Sequence, residues 1–464
     1  MHLTKERFSS DEFLDLVSSS PNEALRPALS LSGLDAEAFS LVCLADTITY
    51  ARSQCIRYST VCPPKLEAFS QLESLPILTR REIDEDISPI CVRGEKVCRY
   101  STTSATTTGH SLFVPHSSPE DEAVSRYHRL VFGFTGTKNL ILRLVPCGRS
   151  IGGGSGIAGR EFLAAFDSNA ARETTADNWD YIIAQLFGQF PGPEGNQRIG
   201  SIHATPPFGL IALTKFMKAR GVDPRETGVH SLLVTGSWIG KHSRSMLEQF
   251  WNARVHTNFS CSELNGTAAE CQIHKGRYHF SHLVYPEVVD RYSHRPVPVG
   301  GEGRLVLTGV YPFHRACIFL RYAVGDWARW LGSVACECGR EARTIEHLGR
   351  ERDVLAVENS DGVTLFLSSP AILNTLDQFD WIPKIPLPQF RWNLHHTGKK
   401  ALIHIDVECY TICGPIWKKR SEEAIAVALL AELPHLKAEA DSGAIAIDVQ
   451  LRPRGHLTHD VRIP

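Results

Sequence analysis

Asn258-Phe259-Ser260-Cys261-Ser262-Glu263 gathers an aromatic ring, small hydroxyls and one carboxylate into six residues, directly after a short apolar run. These groups suit a nucleotide. A ring can lie on a purine, hydroxyls can bond phosphate oxygens, and a carboxylate is a hard oxygen ligand for Mg²⁺. The structural alternative is a helix cap, with Asn258 or Ser262 accepting from free backbone N–H groups. A second carboxylate closes Arg321-Tyr-Ala-Val-Gly-Asp326. Placed there, Asp326 can accept both hydroxyls of a ribose, or it can be a turn residue in solvent. Ser101-Thr-Thr-Ser-Ala-Thr-Thr-Thr-Gly109 offers hydroxyls and backbone N–H groups to an anion, although alone it reads more readily as a polar linker. Gly236 admits close approach of a flat ligand, and Ser237 and Trp238 follow it.

The 13 cysteines are scattered, and most read as small apolar packing groups. Cys336-Glu-Cys338-Gly-Arg340 differs from the rest, because Cys271 and His279 stand upstream of it. Three thiols and an imidazole form a tetrahedral set of the kind Zn²⁺ takes. His274 competes with His279 for the fourth place, and unpaired loop cysteines are the alternative to a metal. A full protein ligand set leaves no open position, so such a site is structural.

The elements that must position these groups alternate. Leu140–Val145, Ile202–Thr205, Leu232–Thr235 and Val255–Asn258 read as strands. Helical segments run through Lys218 and over Ser243–Trp251, and a Gly-rich loop spans Gly152–Gly156. That order predicts a parallel sheet covered by helices, with ligand contacts at the carboxyl ends of strands, where Phe259–Glu263 falls. Amphipathic stretches near Ser10–Ser18 and Arg80–Ile87 precede this region. From Glu287 to Trp330 the pattern turns β-rich, with strands expected at Arg304–Thr308 and Ile318–Arg321. After Gly349, strands at Ala401–Val407 and Ala444–Val449 flank a helix over Glu422–Leu433. The expected class is α/β: a large N-terminal domain with helix-covered mixed sheets and a β-rich subdomain, then a small α+β C-terminal domain.

A chain of 464 residues with 43% apolar residues supports a large core and more than one domain. A formal charge of −2 argues against general nucleic-acid or membrane-surface binding. No apolar run reaches the roughly 18 residues of a membrane span, and no signal core follows the N-terminus. A cytoplasmic protein is expected, with its thiols reduced.

Taken in order, the Thr/Ser loop, Phe259–Glu263, Asp326 and Gly349-Arg350-Glu-Arg-Asp353 resemble the adenylate-forming (ANL) superfamily, and within it the phenylacetate–CoA ligase-like branch. The resemblance spans nearly the whole chain. It implies that Thr106, Thr107, Thr108 and Gly109 contact phosphates, with His110 and Ser111 where the family has Lys-Pro. It implies that Phe259 stacks on adenine, Ser260 replaces a glycine, Ser262 contacts the α-phosphate and Glu263 holds Mg²⁺. Gly236-Ser237-Trp238 correspond to the loop before the adenine site, with Ser237 in place of an acid. Asp326 corresponds to the ribose ligand. Arg350 would contact ribose or phosphate, and Asp353 would lie near the pivot on which a mobile C-terminal domain turns. The implied division is 1–348 and 349–464. Members of this branch carry a comparable Cys/His arrangement, which implies zinc on Cys271, His279, Cys336 and Cys338.

One departure is large. The family's lysine near the C-terminus is missing, since no lysine follows Lys437, and Arg454 or His456 is left to take its place. The resemblance implies ATP-dependent activation of a small carboxylic acid as an acyl-adenylate, followed by transfer to a thiol of coenzyme A or a carrier protein. An aromatic acid is expected from the resemblance and from Trp238 and Phe208 near the inferred pocket. Transfer to an amine, activation of another oxyanion, and a non-catalytic nucleotide-binding relative stay open, as does a homodimer.

Overall fold

The computed structural model describes residues 33–102, 112–121, 140–145, 162–167, 176–192, 195–264, 268–358, 364–384, 387–397 and 400–457. The stretches Ser10–Ser18, Gly152–Gly156 and Thr106–Ser111 therefore lie outside the described residues.

Among the described residues three α-helices come first: α1 (Gly33–Gln54), α2 (Phe69–Glu73) and α3 (Arg80–Glu85). Thr79 starts α3 through a capping box, its hydroxyl taking the Glu82 N–H while the Glu82 carboxylate takes the Thr79 N–H. A hairpin of β1 (Val97–Thr102) and β2 (Phe113–Ser117) follows.

The parallel part of the main sheet is built from β3 (Leu140–Val145), β4 (Phe162–Asp167), β7 (Ile199–Ala204), β8 (Ser231–Val234) and β9 (Arg254–Phe259). A small hairpin, β5 (Phe190–Gly192) with β6 (Gly195–Gln197), precedes β7. All six residues of β7 are buried, as expected of a strand covered on both faces. The crossovers run through α4 (Ala176–Phe187), α5 (Phe208–Arg220) and α6 (Lys241–Trp251). One hydrophobic core lies between these helices and the strand residues Ile202, Ala204, Leu232, Val234 and Val255.

Beyond β9 the sheet turns antiparallel through β10 (Ala268–Glu270), β11 (Arg277–Phe280), β12 (Val284–Val289), β13 (Glu302–Gly309), β14 (Tyr322–Ala335) and β15 (Glu341–Arg350). The full order is β12-β13-β14-β15-β11-β10-β9-β8-β7-β3-β4. A second core joins α1 and α3 to the antiparallel half.

The third core draws only on the C-terminal segment. It comprises the hairpin β16 (Leu355–Glu358) with β17 (Thr364–Leu367), α7 (Ser369–Asp377), and a sheet ordered β18 (Phe390–Thr397), β19 (Lys400–Cys409), β20 (Ile445–Pro453). Helices α8 (Pro415–Glu432) and α9 (Pro434–Asp441) complete it. Helix α8 begins seven residues before the expected Glu422, with proline in its first turn, where no backbone N–H is needed.

One expected strand is absent. Ile318–Arg321 is buried but irregular, and Arg321 takes a positive φ of 47°. Its backbone groups bond outside any ladder: Ile318 N–H to the Ile90 carbonyl, Leu320 N–H to the Tyr58 hydroxyl and Arg321 N–H to Thr308 Oγ1. An apolar run reads alike whether it is paired or merely enclosed. Among the described residues, no helix is long and apolar enough to cross a membrane.

Candidate functional site

Strand β9 ends at Phe259, so the next residues leave the sheet at its carboxyl edge. A cavity of about 160 Å³ opens there. Gly236, Ser237, Trp238, Phe259, Ser260, Asp326, Arg350 and Asp353 all lie on its wall. Leu387–Phe390 of the C-terminal segment line it as well. Gly236 sits at φ 75°, and a Cβ there would stand 2.8 Å from Thr205 Cγ2, so the turn after β8 depends on glycine.

Asp326 and Arg350 face each other because β14 and β15 pair in register at those two residues. The Asp326 carboxylate accepts from Arg350 at 3.3 Å and from His347 Nε2 at 3.0 Å. Burial pushes its carboxyl up, but Arg350 and His347 outweigh that and hold it below the ordinary carboxylate value. Arg350 is in turn held charged, by Asp326 first and also by Glu263. The Phe259 ring packs against His347 with centroids 5.3 Å apart, backed by Tyr278 and Phe280.

Ser262 and Glu263 lie one layer behind this wall. Buried Glu263 accepts from the Tyr322 hydroxyl at 2.8 Å and from Arg80 at 3.1 Å. Burial and the neighbouring Glu263 carboxylate push the Tyr322 phenol well above its ordinary value. The Ser262 carbonyl accepts from Ser101 Oγ at 2.8 Å. That bond uses the only hydroxyl proton of Ser101, so at the 2.7 Å contact with His116 Nε2 the serine accepts. His116 Nδ1 then donates to Glu120 at 2.6 Å, which leaves both ring nitrogens as donors. Glu120 also takes the Arg315 and Ala316 N–H groups. The arrangement has the spacing of a nucleophile triad, but all three residues are buried and the serine proton is already committed. It ties the β1–β2 hairpin to the Ser262 turn.

The remaining expected residues fall elsewhere. Arg454 and His456 are exposed on the C-terminal segment and off the cavity wall. The Arg454 guanidinium lies over the Tyr410 ring, 5.6 Å from its centroid. Phe208 is buried at the start of α5 and is likewise off the wall. Thr106, Thr107, Thr108 and Gly109 are outside the described residues. Sequence reading missed Arg80, His347, His116 and Glu120, and took Ser101 as part of an anion loop rather than as a partner of the Ser262 carbonyl. The only local signal among them was the closeness of His347 to Arg350.

Cys271, His279, Cys336 and Cys338 come together at the far end of the β14–β15 hairpin, their ligand atoms within 4.8 Å of one another. Cys271 and Cys336 sulfurs are 3.6 Å apart, and Cys338 Sγ is 3.3 Å from His279 Nε2. Edges of a tetrahedron around one Zn²⁺ with bonds of about 2.0–2.3 Å have similar lengths. Thr344 Oγ1 donates to the Ala342 carbonyl, so it accepts from His279 Nδ1–H at 2.9 Å. The Nε2 lone pair is thereby aimed at the sulfurs, as a metal ligand requires. Burial pushes the His279 imidazole down to about 4, which keeps it neutral. The competing His274 turns its ring toward Glu337 and gives its backbone N–H to Cys271 Sγ.

No family model matches the chain. A phenylacetate-coenzyme A ligase of Thermus thermophilus is 30% identical over 161 residues, 34% of this chain and 35% of that protein. A second, from Aromatoleum evansii, is 28% identical over 168 residues, 36% of each. The match thus spans about a third of the length of these curated relatives. In fold, 98% of the chain aligns with 92% of 2-hydroxyisobutyryl-CoA ligase in its postadenylation state, at TM-score 0.67 and 16% identity. The GH3.15 acyl acid amido synthetase aligns over 94% of this chain and 89% of its own, at TM-score 0.59 and 12% identity.

Proposed function

We propose, from the premise that this chain is a relative of the adenylate-forming (ANL) enzymes, that it activates a carboxylic acid with ATP and passes the acyl group to a thiol. The observation that carries the reading is buried Asp326, paired with half-buried Arg350, on the same cavity wall as the Phe259 ring. A carboxylate held ionised accepts hydroxyl protons well, and an aromatic face beside it suits the attached base. In the reaction, a carboxylate oxygen of the acid attacks the α-phosphorus of ATP and pyrophosphate leaves. The acyl-adenylate then yields its acyl group to the thiol of coenzyme A or a carrier arm, and AMP is released. Arg350 supplies fixed positive charge on the cavity wall, which Leu387–Phe390 also line.

Glu263 is the residue that would hold Mg²⁺, which neutralises phosphate charge when bound; its present partner Arg80 must then yield. Cys271, His279, Cys336 and Cys338 would hold a structural Zn²⁺. The chain divides at 348/349, the C-terminal unit acting as a lid about Arg350 and Asp353, and the enzyme works in the cytoplasm.

The test is exchange of labelled pyrophosphate into ATP with a panel of acids. Exchange above the acid-free background with at least one acid is expected. Tight binding of an ATP analogue with no exchange and no acyl-adenylate by mass spectrometry would favour a nucleotide-binding relative without turnover. The place of Arg454 over Tyr410, away from the cavity, is what keeps that second reading in play.

A further inference from the structure

Side chains on a strand alternate between faces, so Asn258 and Phe259 point to opposite sides of β9. Phe259 shares its side with Tyr278 and the Asp326 end of the cavity. Asn258 shares the other with its neighbours across the parallel ladder. Val234 pairs with Thr257, which places Thr235 beside Asn258, and Ala204 pairs with Val234, which places Thr205 beside Thr235. One face at the carboxyl ends of three adjacent strands is therefore polar: His203, Thr205, Thr235 and Asn258. The first three are linked through one ring nitrogen, with His203 Nε2 2.9 Å from Thr235 Oγ1 and 3.0 Å from Thr205 Oγ1. Asn258 is not. It is 7% exposed, lines the cavity, and among the described residues neither its amide nitrogen nor its oxygen has a partner. Two further wall groups are in the same condition, Ser237 Oγ and Trp238 Nε1.

A buried carboxamide with both ends unmatched costs stability unless something in the cavity completes it. We propose that the acid bound here carries a hydroxyl group, and that Asn258 selects for it. A hydroxyl donates to Asn258 Oδ1 while accepting from Asn258 Nδ2–H or Trp238 Nε1–H, which a hydrocarbon surface cannot do. The naming of the ligand as an acid rests on the acid-activating reading above; the requirement for a donor–acceptor group rests on the orphaned amide alone. The nucleotide's purine edge also pairs with a carboxamide, but a base lying on Phe259 is on the opposite face of the strand.

Pairs of acids differing by one hydroxyl test this: 4-hydroxyphenylacetate with phenylacetate, and 2-hydroxyisobutyrate with isobutyrate. Equilibrium binding is read by tryptophan fluorescence, since Trp238 lines the cavity, and pyrophosphate exchange is read alongside. In at least one pair the hydroxylated acid should bind about 10- to 100-fold more tightly. Asn258→Leu should remove that preference, with the loss falling on the acid's affinity rather than on that of an ATP analogue. A preference in binding without exchange supports the selectivity and refutes the ligase reading. Equal binding within both pairs, tighter binding of the unsubstituted acids, no binding of any, or an Asn258→Leu loss confined to nucleotide affinity each overturns the proposal.

Discussion

Asp326 is the residue on which the cavity's charge turns. Its carboxyl is held below the ordinary value by Arg350 and His347, so it adds stability above the unfolded value of about 3.9, and that stability is lost as pH falls through the lower folded value. Asp326→Asn keeps the shape but removes the charge. Affinity for an ATP analogue should fall about 10- to 100-fold by calorimetry, the range for charged hydrogen bonds, and the acid limb of the stability curve should flatten. His314 acts at a higher pH. It is 1% exposed, and burial pushes its imidazole down to about 4. The unfolded chain therefore binds a proton near pH 6.5 that the folded chain refuses, and stability declines from there toward pH 4. The loss is on the order of 3 kcal/mol at its limit. His314→Leu should reduce the decline between pH 7 and 5 measured by urea denaturation. If the decline is unchanged, another buried group causes it, and His256, also pushed down to about 4 by burial, is next in line.

At the scale of elements, the β14–β15 hairpin carries two sites that are far apart. Asp326 pairs with Arg350 at its base, whereas Cys336 and Cys338 form its tip, ten residues or about 33 Å of extended strand away. A zinc clamp at the tip can stiffen the hairpin but cannot reach a nucleotide. The protein should contain about one zinc by elemental analysis. Chelation, or Cys336→Ser with Cys338→Ser, should lower the melting temperature by more than about 5 °C and change ATP affinity less than about twofold. A zinc-free wild type with unchanged melting would remove the clamp. This hairpin also shows what the sequence made legible. Arg321-Tyr-Ala-Val-Gly-Asp326 and Cys336-Glu-Cys338 are local patterns, and side-chain chemistry reads directly from them. Arg80 and the Ser101–His116–Glu120 chain were not legible, because their meaning is tertiary: Arg80 meets Glu263 across 183 residues. Ile318–Arg321 misled for a related reason, since burial and strand pairing leave the same apolar trace.

Over the whole molecule, one contact between the C-terminal segment and the rest is a helix cap supplied by a helix of that segment. Helix α6 begins after Gly240 with no side-chain cap of its own. Asp377, at the end of α7, takes the Ser243 N–H at 2.6 Å and the Ser243 hydroxyl as well. Lys241 adds an ion pair to Glu432 on α8, and its N–H bonds Asn374. Gly240 has to be glycine for this to fit, because a Cβ there would overlap the Asp377 carboxylate. Removing an N-cap costs about 1 kcal/mol, too little to unfold a domain but enough to shift the balance between two arrangements of one. Asp377→Ala should therefore leave the melting temperature nearly unchanged while limited proteolysis cuts between Arg350 and Glu358 roughly 5-fold faster, the factor that 1 kcal/mol represents. Gly240→Ala should do the same by pushing rather than by releasing. If the proposed lid carries the cavity residues Leu387–Phe390 through that motion, both variants should also raise the KM for ATP in pyrophosphate exchange. Faster cleavage with an unaltered KM would mean that the two units part without opening the cavity, and unchanged cleavage in both variants would mean that Asp377 does not hold them together.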